Sequence, residues 1–210
     1  MQVDKAPERI AQAIYKEIKE GDFRKGAAES NDADTGGGAR DLRFGGYEHF
    51  KEIFRDFLPG RRIEERRRNK QPVQIEILTG TGHWIEPNKP GKNLPESQRV
   101  RSFDVEFEEP TTARPTEGRL TRINKYPFFG RDDCWPADVE GSRYLLITRT
   151  ESGLVYFHIV SESTLRAPDP EGRYPFNKIM VDCIDGKRNE GVAVLGHYNF
   201  ESGASYCNAR

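Results

Sequence analysis

The sequence predicts an α+β domain: a mostly antiparallel sheet of about seven short strands, closed or nearly closed into a barrel, with two flanking helices. Three observations carry this prediction. Apolar and polar residues alternate at period two in several short segments, only two segments show a period near 3.6, and the strands come in runs instead of alternating with helices. Hydrophobic residues are 35% of the 210 and charged residues 32%, which implies a modest core and half-buried strands. No low-complexity linker divides the chain, so it reads as an N-terminal helix in 1–24 packed on a single body, 25–210, that ends in a C-terminal extension.

In chain order, the first element is an amphipathic helix over Pro7 to Glu20, with Ile10, Ala13, Ile14 and Ile18 on one face and Gly21 as its stop. The Gly-, Asn- and Asp-rich stretch from Lys25 to Gly38 favours turns over regular structure and leads into a strand over Ala39 to Phe44. Tyr47 to Leu58 carries Phe50, Ile53, Phe54 and Phe57 on one side and meets Pro59-Gly60, a helix with its stop signal. Val73 to Ile77 and Phe103 to Phe107 alternate as strands; Leu120 to Ile123 is another. Tyr144 to Arg149 and Leu154 to Val160 flank Thr150-Glu151-Ser152-Gly153 as a hairpin. Ile179 to Ile184 and Val192 to Tyr198 complete the strand set.

The net charge of −1 is uninformative, but its distribution is not. Arg61 to Lys70 holds six basic residues against Glu64 and Glu65, and Thr111 to Arg131 holds Arg114, Arg119, Arg122, Lys125 and Arg131 against Glu117, a local charge of +4 in each case. The first run reads as a solvated face, with a phosphate-tracking patch as the alternative. The second places Arg119 and Arg122 about a strand start, where a planar guanidinium can engage guanine O6 and N7 or a phosphate. Glu117 can accept from cytosine N4 or brace a neighbouring arginine.

No catalytic constellation is expected. The glycine run lacks the Gly-Lys-Ser/Thr that opens a helix in phosphate-binding loops, and His49, His83, His158 and His197 stand apart from one another at spacings that do not suit zinc. Cys134, Cys183 and Cys207 read as buried or free thiols, since an odd, widely spaced set argues against a disulfide framework. No metal and no cofactor are expected. Apolar runs such as Leu145 to Ile147 fall far short of the roughly 20 residues of a membrane span, and the charged N-terminal segment does not resemble a signal peptide, so the expected location is cytoplasmic, with no membrane partner.

Ser30-Asn31-Asp32 through Thr35-Gly36-Gly37, then a strand, a helix ending in Leu58-Pro59, and Arg119-Leu120-Thr121-Arg122 together resemble the N-terminal effector-DNA-binding domain of EcoRII-type restriction endonucleases, a pseudobarrel related to plant B-three domains. The resemblance runs from about Lys25 to Thr164, and it departs where this chain has Gly38-Ala39-Arg40 in place of the family's His-Gln. It implies a sequence- or modification-specific module of a restriction or phage-defence system, clamping the major groove of double-stranded DNA with two arms. Thr35, Gly37, Arg40 and Arg43 belong to one arm; Arg114, Glu117, Arg119, Arg122 and Lys125 belong to the other. A second copy of the chain or a partner nuclease subunit is the protein partner such a module calls for. The competing expectation is a compact Mg²⁺-dependent endonuclease drawing its acids from Asp41, Glu76, Asp104 and Glu106.

Overall fold

The computed structural model describes residues 8–24, 41–68, 71–89, 91–112, 114–136, 141–167 and 178–208. Its ten strands are β1 (Ile10–Ile18), β2 (Leu42–Gly45), β3 (Gly60–Arg68), β4 (Gln71–Ile85), β5 (Val100–Glu108), β6 (Glu117–Thr121), β7 (Arg143–Thr150), β8 (Val155–Ser161), β9 (Leu195–Asn199) and β10 (Ser205–Cys207). The helices are α1 (Glu20–Arg24), α2 (Tyr47–Phe57), α3 (Glu96–Arg99), α4 (Glu162–Arg166) and α5 (Lys178–Glu190). The strands form one sheet in the order β10-β9-β1-β7-β8-β4-β5-β6-β2, with β3 paired to β4 beside that path. The expected barrel of about seven mostly antiparallel strands with two helices is therefore corrected to a ten-stranded, mixed sheet curled into a half-barrel.

The fifteen-residue β4 explains the difference. Its first half pairs with β3 from Gln71 to Thr79, and its second half pairs with β5 from Ile77 to Ile85. Beyond the end of β3, Gly82 and His83 pair in parallel with Val155 and Tyr156 of β8, which joins the two halves of the sheet and makes it mixed. The sequence signal covered only Val73 to Ile77, because Thr79-Gly80-Thr81-Gly82 breaks the alternation. Those glycines are needed for packing: a Cβ on Gly82 would lie 2.7 Å from the Phe103 ring.

Two segments take a secondary structure opposite to the one expected. Ile10–Ile18 is a central strand between β7 and β9, not a helix. Ile10, Ile14 and Ile18 are spaced by four, which satisfies a helical stripe; in the strand the same spacing keeps Ile14 and Ile18 on one face, while a bulge between Ile10 and Gln12 shifts Ile10 out of that row. The second face, Ala11, Ala13 and Tyr15, is buried as well, as a central strand covered on both sides requires. Lys178–Glu190 is a helix, and its buried residues Met180, Cys183, Ile184 and Lys187 fall at the i, i+3, i+4, i+7 spacing of one helical face.

The main apolar cluster lies inside the curl, where α2 contributes Phe50, Phe54 and Phe57 against Phe44 and Phe107. Phe54 and Phe107 stack with centroids 3.8 Å apart. Gly118 is required there, since a Cβ would meet the Phe107 ring at 2.2 Å. A second cluster, with Tyr15, Tyr144, Leu146, Met180 and Ile184, fills the space between the outer face of β1 and β7 and helix α5.

A disulfide joins Cys183 on α5 to Cys207 on β10, with Cα atoms 5.8 Å apart, in place of the expected unpaired thiols. The pairing has no local signature, because the two cysteines are 24 residues apart and meet only when α5 packs beside the β9-β10 hairpin. Cys134 remains a free thiol.

Reduction of the Cys183–Cys207 bridge, which closes a loop of sequence separation 24, should lower unfolding stability by about 3 kcal/mol. Urea titrations with and without reductant measure this, and a Cys183→Ser variant indifferent to reductant is the matching control. A second expectation concerns His197, which is buried and held by Gln12 at 3.1 Å. Burial pushes its pKa down to about 4, helped by the nearby His49 and opposed by Asp56. The unfolded chain protonates near 6.5, so it binds more protons than the native state between those values, and stability falls as pH drops from about 6.5 to 4. The loss is on the order of 3 kcal/mol, and it should shrink in His197→Asn when the two proteins are compared by denaturation at pH 7 and pH 4.5.

Candidate functional site

Strands β3, β4, β5, β6 and β2 carry a layer of charge on one face. Register places Arg62, Ile77, Glu108, Arg119 and Arg43 in one row across these five strands. Ile75 and Ile77 are almost wholly buried yet belong to neither apolar cluster. The side chains directly opposite them are Arg62, Glu64 and Glu108, so the stems of charged residues shield these isoleucines from water.

The acids lie beneath the arginines. Glu108 has a side chain only 3% exposed and accepts from Arg114 at 2.6 Å and Arg66 at 3.1 Å. Glu106, 10% exposed, is bound by Arg122 at 2.9 Å and Arg62 at 3.1 Å. Arg119, itself 12% exposed, donates to Glu117 and reaches Asp41 at 3.3 Å. By contrast, the side chains of Arg43, Arg122, Arg66 and Arg62 are 59%, 50%, 41% and 39% exposed. The surface of the layer is therefore cationic although its total charge is nearly balanced.

Burial pushes the Asp41 carboxyl above its usual range, against the pull of Arg119, whereas the hydrogen bond from Arg66 holds Glu64 below it. Burying the acids is costly. Glu106 Oε2, Arg62 Nε and Arg114 Nε have no hydrogen-bond partner among the described residues, so this network is not fully satisfied.

Arg122 is the one described non-glycine residue with positive φ, 56°, in the left-handed region. It ends β6 and starts a 3-10 turn, Ile123–Lys125, whose Lys125 N–H donates to the Arg122 carbonyl at 2.8 Å. An L-residue held there costs about 1–2 kcal/mol, a strain that collects at sites where a side chain must be aimed.

The predicted site residues thus divide. Arg43, Arg114, Glu117, Arg119 and Arg122 meet in this layer, and β2 pairs directly with β6, with Arg43 opposite Arg119. Arg114 and Arg119 are bracing residues with little free surface, and Glu117 is taken up by Arg119 and Arg43. Lys125 is exposed beside Arg122. Thr35, Gly37 and Arg40 lie outside the described residues. The Arg61–Arg68 run is strand β3, of which Arg61, Ile63, Glu65 and Arg67 are exposed while Arg62, Glu64 and Arg66 turn into the layer. The part Arg62 and Arg66 play in the layer was not legible in the sequence, because this run has no apolar–polar alternation and pairing with β4 decides which of its arginines turn inward.

The acids of the competing nuclease reading do not gather. Glu106 is committed to arginines in the layer, Glu76 pairs with Arg61 and Arg55 on the opposite face, and Asp104 is exposed further along β5. Among the described residues no three His, Cys, Asp or Glu side chains are grouped to hold a metal ion. Among the described residues no helix is long and apolar enough to cross a membrane. Comparison with protein-family models, with curated proteins and with solved structures found no match to this chain.

Replacing Arg114 with Met should leave the buried Glu108 short of a partner and cost about 3 kcal/mol in a urea titration. Adding Glu108→Gln in the same chain should recover much of the loss. A cost below about 1 kcal/mol for Arg114→Met would mean that the pair does not brace the layer.

Proposed function

We propose that the protein binds double-stranded DNA through the arginine layer, with Arg43, Arg62, Arg66 and Arg122 as the contacting side chains and Arg114 and Arg119 as their supports. The observation that carries this reading is the stratification itself: carboxylates 3–10% exposed lie under the guanidiniums of Arg62, Arg66 and Arg122, 39–50% exposed, with the more exposed Arg43 beside the half-buried Glu117. An arginine fixed by a buried carboxylate loses little side-chain freedom on meeting a phosphate, and its remaining N–H groups stay available. The juxtaposition of β2 with β6 supports the two-arm arrangement, because the chain enters β2 directly from the glycine-rich stretch.

A role in a restriction or phage-defence system rests on the motif resemblance alone, and a duplex-DNA ligand suits a cytoplasmic location. The Cys183–Cys207 bridge pulls the other way, since cytosolic thiols are normally reduced. That bridge contributes no residue to the arginine layer.

Fluorescence anisotropy with a labelled duplex across 50–200 mM salt tests the proposal. Four phosphate contacts predict a log–log slope near −3.6, and each arginine-to-alanine change at Arg62, Arg66 or Arg43 should flatten it by about 1. Arg122→Gly relieves the positive φ but removes one of the arginines that hold the buried Glu106, so it should lower both affinity and unfolding stability, and adding Glu106→Gln should restore much of the stability but not the affinity. No duplex binding at 50 mM salt, or unchanged affinity in Arg62→Ala/Arg122→Gly, would overturn the assignment.

A further inference from the structure

The two ends of the strand order approach each other across the mouth of the half-barrel. A Cβ built on Gly46, just after β2, would lie 2.5 Å from the Tyr206 hydroxyl of β10. At this seam is a cavity of about 400 Å³, lined by Lys16, the backbone of Gly45 and Gly46, Leu195, Tyr206 and Asn208.

Lys16 does not belong there on packing grounds. It occupies the core-facing row of β1 between Ile14 and Ile18, opposite Leu145 of β7 and Leu195 of β9. Its side chain is mostly shielded from water, and its Nζ lies 5.5 Å from the centre of the Phe44 ring. Among the described residues nothing accepts a hydrogen bond from it or forms an ion pair with it. Burial lowers its pKa from the usual lysine range, opposed at longer range by Asp22, Glu17 and Glu117. Desolvating an unpaired ammonium is expensive, and a Leu or Met in that row would fold better.

Two further features meet Lys16 at the cavity. The eleven-residue α2 starts at its wall, with Gly46 at the N-cap position, φ 66°, and no side-chain cap. The helix therefore presents an open positive end, partly offset by Glu48 in its first turn. Tyr206 stacks near His49 and Phe50, and its hydroxyl has no hydrogen-bond partner among the described residues. By contrast, the Asn208 side chain is already engaged, accepting from the Leu195 N–H and donating to the Ala193 carbonyl.

We propose that the seam cavity binds a small oxyanion of the phosphate or carboxylate class, held by the Lys16 ammonium, the N-terminus of α2 and the Tyr206 hydroxyl. The site is separate from the arginine layer, and the proposal does not rest on the DNA-binding reading. The anion would supply the counter-charge that Lys16 lacks and would tie β1 and β10 to the start of α2, fastening the open edge of the half-barrel.

The test is thermal unfolding of the intact protein in inorganic phosphate, and separately in acetate, at ionic strength held constant with chloride. With either anion at tenfold its dissociation constant, Tm should rise by about 3–6 °C in the natural protein and stay level in Lys16→Met. An equal rise in both proteins would mark general exclusion of the salt from the surface, and no rise in either would mark an empty site; both results overturn the proposal. A second measurement needs no variant. Pyridoxal phosphate and borohydride should label Lys16, and phosphate should reduce that label at least tenfold relative to the exposed Lys92 and Lys125 when peptides are quantified by mass. Labelling of Lys16 that phosphate leaves unchanged would also overturn it.

Discussion

The burial of Glu106 and Glu108 on β5 is the constraint that organises half of this molecule. Burying two carboxylates this far from water is costly unless cations are brought to them, and those cations come from other strands and turns. Arg62 and Arg66 come from β3, and Arg114 and Arg122 from either side of β6. The β3-β4 hairpin must therefore lie alongside β5, and the chain after β5 must return through β6, before the acids are satisfied. An electrostatic requirement and a topological one coincide.

The same arrangement determines what the surface offers a partner. Because the acids are innermost, the guanidiniums are oriented outward and shield Ile75 and Ile77 with their stems. A chain with almost equal numbers of acids and bases thereby acquires a cationic face without an excess of positive charge. The strained backbone at Arg122 belongs to the same design, since it sits where β6 gives way to the turn and aims its side chain back over Glu106.

The inside of the curl inverts this logic. There the core is aromatic, α2 is pinned by the Phe54–Phe107 stack, and Lys16 stands in an isoleucine row without an acid in hydrogen-bonding reach among the described residues. One region neutralises buried anions with several arginines; the other leaves one ammonium facing a cavity.

Taken alone, the sequence determined the elements whose signal is local: helix α2 from its phenylalanine stripe and Pro59-Gly60 stop, the β7-β8 hairpin from two apolar runs about a Gly-containing turn, and the clustering of arginines near β3 and β6. It misled where one pattern serves two periods, as in Ile10, Ile14 and Ile18, whose spacing by four suits strand and helix equally. Only the tertiary structure decided between them, by placing β1 between β7 and β9 with both faces covered. The same holds for the pairing of Cys183 with Cys207, the parallel contact of β4 with β8, and the division of the arginines into exposed tips and buried braces. Each depends on which distant residue lies opposite, and register between remote strands is set by the packing of the whole sheet, which a linear pattern of side chains does not encode.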